Sequence, residues 1–171
     1  MAKFSKGDFK KSRKLMVECV LATDMSKHFA ELGKFKTRVT AEDYECHGKD
    51  KDLTIHMLFH LADISNPTKG WDVCLEWTEL LFQEFFNQGD MERNRGLSCS
   101  YLMDRTDVNI AKSQIGFLDI IISPAYQAAM NVLPELEFNL ANIDKNKGEW
   151  QSRFEEYDKR LEQEKVKIGK I

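Results

Sequence analysis

His56, His60 and Asp63 recur at i, i+4 and i+7, a spacing that lets one helical face present two imidazoles and a carboxylate. Imidazole nitrogen and carboxylate oxygen are both zinc donors, and an H-x-x-x-H pair on a helix is one way such sites are built. The pair has no following Glu to act as a base, and a histidine near a helix end serves equally as a hydrogen-bonded core residue. Asp63 is the more distinctive of the three. It stands in "HLADISNPTKGW", residues 60 to 71, between an apolar stretch and a Pro-containing turn. A helix-ending carboxylate and a metal ligand at the mouth of a pocket both account for it there.

The elements that must position these residues read as helices. Apolar residues follow the 3.6-residue period rather than alternation, and only Pro67, Pro124 and Pro134 interrupt it. Ser5 with Asp8 makes a capping signal, and Met16, Cys19, Val20 and Thr23 predict a helix running to about Leu32 before Gly33. Residues 34 to 52 are polar and read as a loop begun by a frayed helix. A second helix is predicted from about Asp52 to Ile64, closed by Asn66-Pro67, because a residue before proline leaves the α region. A third runs from about Trp71 to Asn87 with Cys74, Trp77, Leu81 and Phe85 on one face and stops at Gly89. Residues 90 to 106 read as a long, partly ordered connection. A fourth helix spans about Asp107 to Ile122 and ends before Pro124, and a fifth spans Ala125 to Ile143 with Pro134 as a kink or break. The sixth starts near Glu149 and carries Trp150, Phe154, Tyr157 and Leu161, with a charged helix end at about 156 to 171, of which the last turns, "EQEKVKIGKI" at 162 to 171, are expected to fray. The fold class is all-α, in one multi-helix domain.

Bulk properties narrow the function. A chain of 171 residues can bury roughly 70% of its unfolded surface, enough for a core without staples. A net charge of -3 supplies no basic field for nucleic acid or an anionic membrane. Cys19, Cys46, Cys74 and Cys99 lie far apart with no C-x-x-C pair, so reduced thiols and a cytoplasmic location are expected. The charged start is no secretion signal, and no run reaches the 18 or so apolar residues of a membrane span.

Four collinear stretches resemble the catalytic domain of the class I 3',5'-cyclic nucleotide phosphodiesterases. They are "VLATDMSKHF" at 20 to 29, "HLADISNPTKGW" at 60 to 71, "EWTELLFQEFFNQGDMER" at 76 to 93 and "SQIGFLDIIISP" at 113 to 124, within a match over about 8 to 155. The resemblance implies that Asp63 is a ligand of the tightly bound metal, and it leaves His56 and His60 without a metal role. Gln114 matches the glutamine that reads the purine edge. A primary amide suits this, because one rotamer accepts from adenine N6-H and donates to N1 while the flipped one suits guanine. Phe117, one turn on, matches the aromatic that stacks on the base. Asn66 matches a position where several cAMP-preferring members carry Asn, so cAMP is favoured over cGMP. Asp24 and Met25 match positions near the metal-bound phosphate, and Trp77, Thr78, Leu81, Phe82 and Phe85 match positions lining or backing the base pocket. Asp104 and Arg105 fall in a loop that approaches the site in relatives and receive no chemistry.

The family mechanism needs two divalent ions, zinc with magnesium or manganese, held by two His and two Asp, with a bridging hydroxide and a His that protonates the leaving O3'. Metal coordination brings the pKa of water from about 15.7 to about 7. Of those protein groups only Asp63 is present. The H-N-x-x-H and H-D-x-x-H-P-G strings that lie upstream in relatives do not occur here. A catalytic zinc typically keeps three protein ligands, so this chain is expected to be the C-terminal portion of a catalytic domain, inactive alone. Met16, Val20, Phe59 and Ile121 are the expected uncovered apolar residues, available for self-association or for the rest of the domain. The competing readings are a nucleotide-binding module without turnover, built on Gln114 and Phe117, and a helical interaction protein using the Trp150 to Leu161 stripe.

Overall fold

The computed structural model describes the backbone of residues 3 to 168 and the side chains of residues 3 to 160. Leu161 and the charged segment after it therefore lie outside the described side chains. The described residues are helical, with no strand. Contacts divide them into two compact units, one formed by residues up to 65 together with 124–137, the other by residues 66–123 together with 138 onward.

In the first unit α1 (Lys6–Ala22) starts as the capping signal requires, with the Ser5 hydroxyl accepting from the Asp8 N–H. It does not reach Leu32. The Thr23 hydroxyl folds back onto the Val20 carbonyl at 2.8 Å, and Asp24, in extended conformation, accepts from the Ser26 N–H to open a 3-10 turn, Met25–Lys27. These local bonds compete with the helical ladder and end it ten residues early. α2 (His28–Val39) then runs through Gly33 and takes in the start of the expected loop, as far as Val39.

α1 and α2 both pack on α3 (Lys51–Asp63). Asp50 precedes α3 but does not cap it, because its carboxylate accepts from Arg38 Nε and Nη2, both at 2.8 Å, and from the Glu45 N–H. The Arg38 guanidinium, with that N–H, holds the Asp50 carboxyl down at about 2. The core of this unit includes Leu32, Phe35, Met57 and Leu61, with Tyr126 from α6 (Ser123–Ala129) donating to the Leu61 carbonyl at 2.9 Å.

In the second unit the 3-10 turn Asn66–Thr68 leads into α4 (Trp71–Asn94). The face buried on α4 is Cys74, Thr78, Phe82 and Gly89, whereas Trp77 and Leu81, expected inside, are exposed. Gly89 does not stop the helix. A Cβ there would meet the Met103 carbonyl oxygen at 1.9 Å, so the glycine admits a crossing backbone. The terminator is Gly96, at φ +72, whose N–H bonds the Arg93 carbonyl. The connection that follows is tied back to α4 by Glu92, which accepts from the Ser100 N–H and hydroxyl at 2.7 and 2.8 Å, and by the pairs Arg93–Asp104 and Arg105–Asp90.

α5 (Ile110–Phe117) passes into a π turn, Leu118–Ile122, and α6 follows directly, so Pro124 does not end a helix as expected. Proline lacks an N–H and crowds the carbonyl four residues back; the wider π turn just before it moves that carbonyl away. Pro134 does break the chain, opening the 3-10 turn Pro134–Leu136. α7 (Glu137–Ile168) is then one helix, continuous through Gly148, where two had been expected. Its Trp150 is buried against Trp71 with ring centroids 4.9 Å apart, while Tyr157 is exposed.

Candidate functional site

Asp63 is the last residue of α3, exposed, and its carboxylate makes no hydrogen bond or ion pair among the described residues. Such a carboxylate suits one position in a cation's shell and is not a metal centre by itself. Among the described residues no three His, Cys, Asp or Glu side chains are placed to hold an ion together. The i, i+4, i+7 pattern therefore does not assemble. The reason lies in where the rings turn: His60 is buried, with Nε2 2.9 Å from Nδ1 of the equally buried His28. A cavity of about 250 Å³ in this unit is lined by His28, His56, His60, Glu18 and Glu31 among others, and Asp63 does not line it. Asp24 and Met25 are exposed at the α1–α2 break. The hydroxyl and N–H of Ser26 hold the Asp24 carboxyl below the usual range, so it is charged at neutral pH.

The His28–His60 pair links the start of α2 to α3, and the sequence reading had no role for His28. Burial depresses both imidazoles, reinforced at His28 by the neighbouring His60 and Lys36 and opposed at His60 by the Asp63 charge and the Ala22 carbonyl. Both are thus neutral in the fold, while the unfolded chain takes up protons below about 6.5. The unfolded state then binds more protons, so stability should rise with pH through that window and be lost on acidification. The urea midpoint is expected to fall between pH 7 and pH 5 and to fall less in His28→Asn; parallel profiles would refute this.

In the second unit Gln114 lies on α5, 6% exposed, and its amide makes no hydrogen bond among the described residues. Phe117 follows one turn later and is half-buried. On α4, Phe85 is half-buried and edge-on to the buried Phe82, with centroids 5.7 Å apart. Thr78 is enclosed, its hydroxyl bonded to the Cys74 carbonyl at 2.8 Å, while Trp77 and Leu81 reach solvent. Asn66 is half-buried at the head of its 3-10 turn. Asp104 pairs with Arg93 and accepts from the Thr106 N–H and hydroxyl, which together bring its carboxyl down to about 2.

The sequence reading also missed Asn139, Asn142 and Asn146. Their spacing puts them on one face of α7, and all three donate to the 67–69 turn. That repeat of one amide along a helix face was the available signal. Of the apolar residues expected to be uncovered, Met16, Val20 and Phe59 are exposed, while Ile121 is half-buried and its neighbour Ile120 is exposed instead. The physical reason is the π turn, which shifts the helical phase across 118–122. No helix among the described residues is long and apolar enough to cross a membrane.

Residues 1–143 match the family model described as 3'5'-cyclic nucleotide phosphodiesterase. The chain belongs to this family. The dual specificity calcium/calmodulin-dependent 3',5'-cyclic nucleotide phosphodiesterase 1B of Mus musculus is 42% identical over 140 residues, which are 82% of this chain and 25% of that protein. The probable 3',5'-cyclic-AMP phosphodiesterase pde-4 of Caenorhabditis elegans is 38% identical over 152 residues, covering 84% of this chain and 23% of that protein. LmjPDEB1, solved in complex with IBMX, superposes with a TM-score of 0.82 at 27% identity, over 89% of this chain and 46% of that one. The phosphodiesterase domain of the RhoPDE fusion protein from Salpingoeca rosetta gives 0.81 at 28%, over 91% and 50%. This phosphodiesterase chain thus spans about a quarter of the curated relatives it matches and about half of the solved chains.

Proposed function

We propose that residues 1–171 are the base-reading part of a catalytic domain that, when complete, hydrolyses 3',5'-cyclic nucleotides to 5'-monophosphates, with cAMP favoured over cGMP. The observation that carries this reading is Gln114, 6% exposed on α5, whose side-chain amide makes no hydrogen bond among the described residues and lies one turn from the half-buried Phe117. Its donor and its acceptor are therefore open to a ligand. A purine edge would satisfy both its donor and its acceptor, and Phe117 would cover the base face. Asn66 supports the lean toward adenine. Trp77, Thr78, Leu81 and Phe85 would line or back the pocket, with Asp24 and Met25 near the phosphate.

Asp63 would supply one protein ligand to two divalent ions, zinc with magnesium or manganese. A divalent cation supplies Lewis acidity toward a phosphate oxygen. The donor set here does not complete such a site, since no three-ligand cluster occurs among the described residues. We therefore expect this chain alone to hydrolyse neither nucleotide. The same observation favours a second reading, nucleotide binding without turnover.

The test is calorimetric titration of residues 1–171 with cAMP and cGMP. Gln114→Ala is expected to weaken binding about 10- to 100-fold, the effect of losing two buried hydrogen bonds. Equal affinity in the variant and the unaltered chain would remove the purine role.

A further inference from the structure

We propose that Asn142 and Asn146 of α7 are positioning residues, which clamp the 66–69 turn and thereby fix the direction in which Asn66 is presented to a nucleotide base. The inference rests on the reading of Asn66 as a base contact.

The turn needs outside help. Pro67 and Thr68 are fully enclosed, so their carbonyls must find donors within the protein, while Lys69 is exposed. The turn supplies one bond of its own, a Lys69 N–H donating to the Asn66 carbonyl at 3.3 Å. Pro67 has no N–H to contribute.

α7 supplies the rest. Asn146, 1% exposed, spends both amide hydrogens, one on the Pro67 carbonyl and one on the Lys69 carbonyl, each at 2.8 Å. Asn142 donates to the Thr68 carbonyl at 3.0 Å, and Asn139 donates to the Thr68 hydroxyl at 2.9 Å. Three consecutive carbonyls are thus held by two amides one helical turn apart. A primary amide is the fitting side chain because its two N–H groups diverge and reach two acceptors at once. Aspartate, of nearly the same shape, has no hydrogen to give and would face three carbonyl oxygens with a negative charge.

The Asn66 side chain makes no hydrogen bond among the described residues, so the turn backbone sets the Cα–Cβ direction from which its rotamers depart. Whatever holds the carbonyls of residues 67–69 therefore restricts where the Asn66 amide can reach. Trp150, one turn beyond Asn146, packs on Trp71 directly after the turn and keeps α7 in register with it.

The experiment compares residues 1–171 unaltered and as Asn146→Asp, with Asn142→Ala as a milder variant that removes one donor should Asn146→Asp not fold. Amide hydrogen exchange is followed at Lys69 and along α5, and affinities for cAMP and cGMP are measured on the same samples. Lys69 is expected to exchange at least tenfold faster, α5 to be unchanged, and the ratio of cAMP to cGMP affinity to drop by about threefold or more. Unchanged exchange at Lys69 in a folded variant would overturn the clamp. Faster exchange with an unchanged affinity ratio would overturn the positioning role and leave a purely structural contact. Binding of neither nucleotide by the unaltered chain would instead overturn the purine-site reading, and exchange at Lys69 alone would then decide the clamp.

Discussion

Asp63→Ala is expected to remove nearly all hydrolysis of cAMP from a chimera in which the upstream segment of a relative's catalytic domain is joined to residues 1–171. The expected loss is on the order of a thousandfold, because a metal ion's contribution to stabilising transition-state charge is several kcal/mol and a missing ligand forfeits most of it. The folded state should barely notice. The Asp63 carboxylate is exposed at the end of α3 and makes no internal hydrogen bond among the described residues, so truncation leaves no orphaned partner. The comparison therefore separates function from folding: a kcat collapse at an unchanged melting temperature supports the ligand role, and a fully active Asp63→Ala chimera ends it. Asp63→Asn sharpens the result, since it keeps the shape and removes the charge a divalent cation requires.

Trp150→Ala is expected to destabilise the chain by about 4 kcal/mol, in the range found for emptying a large aromatic site. Trp150 is 2% exposed, lies edge-to-face with Trp71 at 4.9 Å, and shares with it the Arg153 guanidinium, 5.9 Å from its own ring and 5.2 Å from that of Trp71. Deletion leaves a cavity that rigid helix backbones cannot close, and it strips Trp71 of the ring that seats the first turn of α4. Urea denaturation followed by circular dichroism measures the loss. A change below about 1 kcal/mol would mean that the site collapses freely and that α7 is not anchored through this residue.

Much of this was legible in the chain. Helical periodicity required an all-α fold, Ser5 announced the start of α1, and α3 ends at Asp63, one residue short of the expected Ile64, ahead of the 3-10 turn that Asn66 and Pro67 open. The motifs around Asp63 and Gln114 carried the family, which the match over residues 1–143 establishes.

Elsewhere local signals were overruled. Gly89 looked like a helix stop and is a close-approach site, since the loss of its side chain serves Met103, fourteen residues on. Pro124 looked like a terminator, but a π turn accommodates it. The three-residue metal face around His56 dissolved because His60 turned inward to His28, thirty-two residues away in sequence.

By itself, then, the sequence determined that the chain is all-α, that α1 starts at its Ser5 cap, and that α3 ends ahead of the Asn66-Pro67 turn. Those depend on neighbours within a turn or two, and their energies are local. Only the tertiary structure decided which face of α4 is buried, what Gly89 is for, and that Asn142 and Asn146 hold the turn beneath Asn66. Each of these depends on a partner remote in sequence, whose arrival no local pattern of apolar and polar residues encodes.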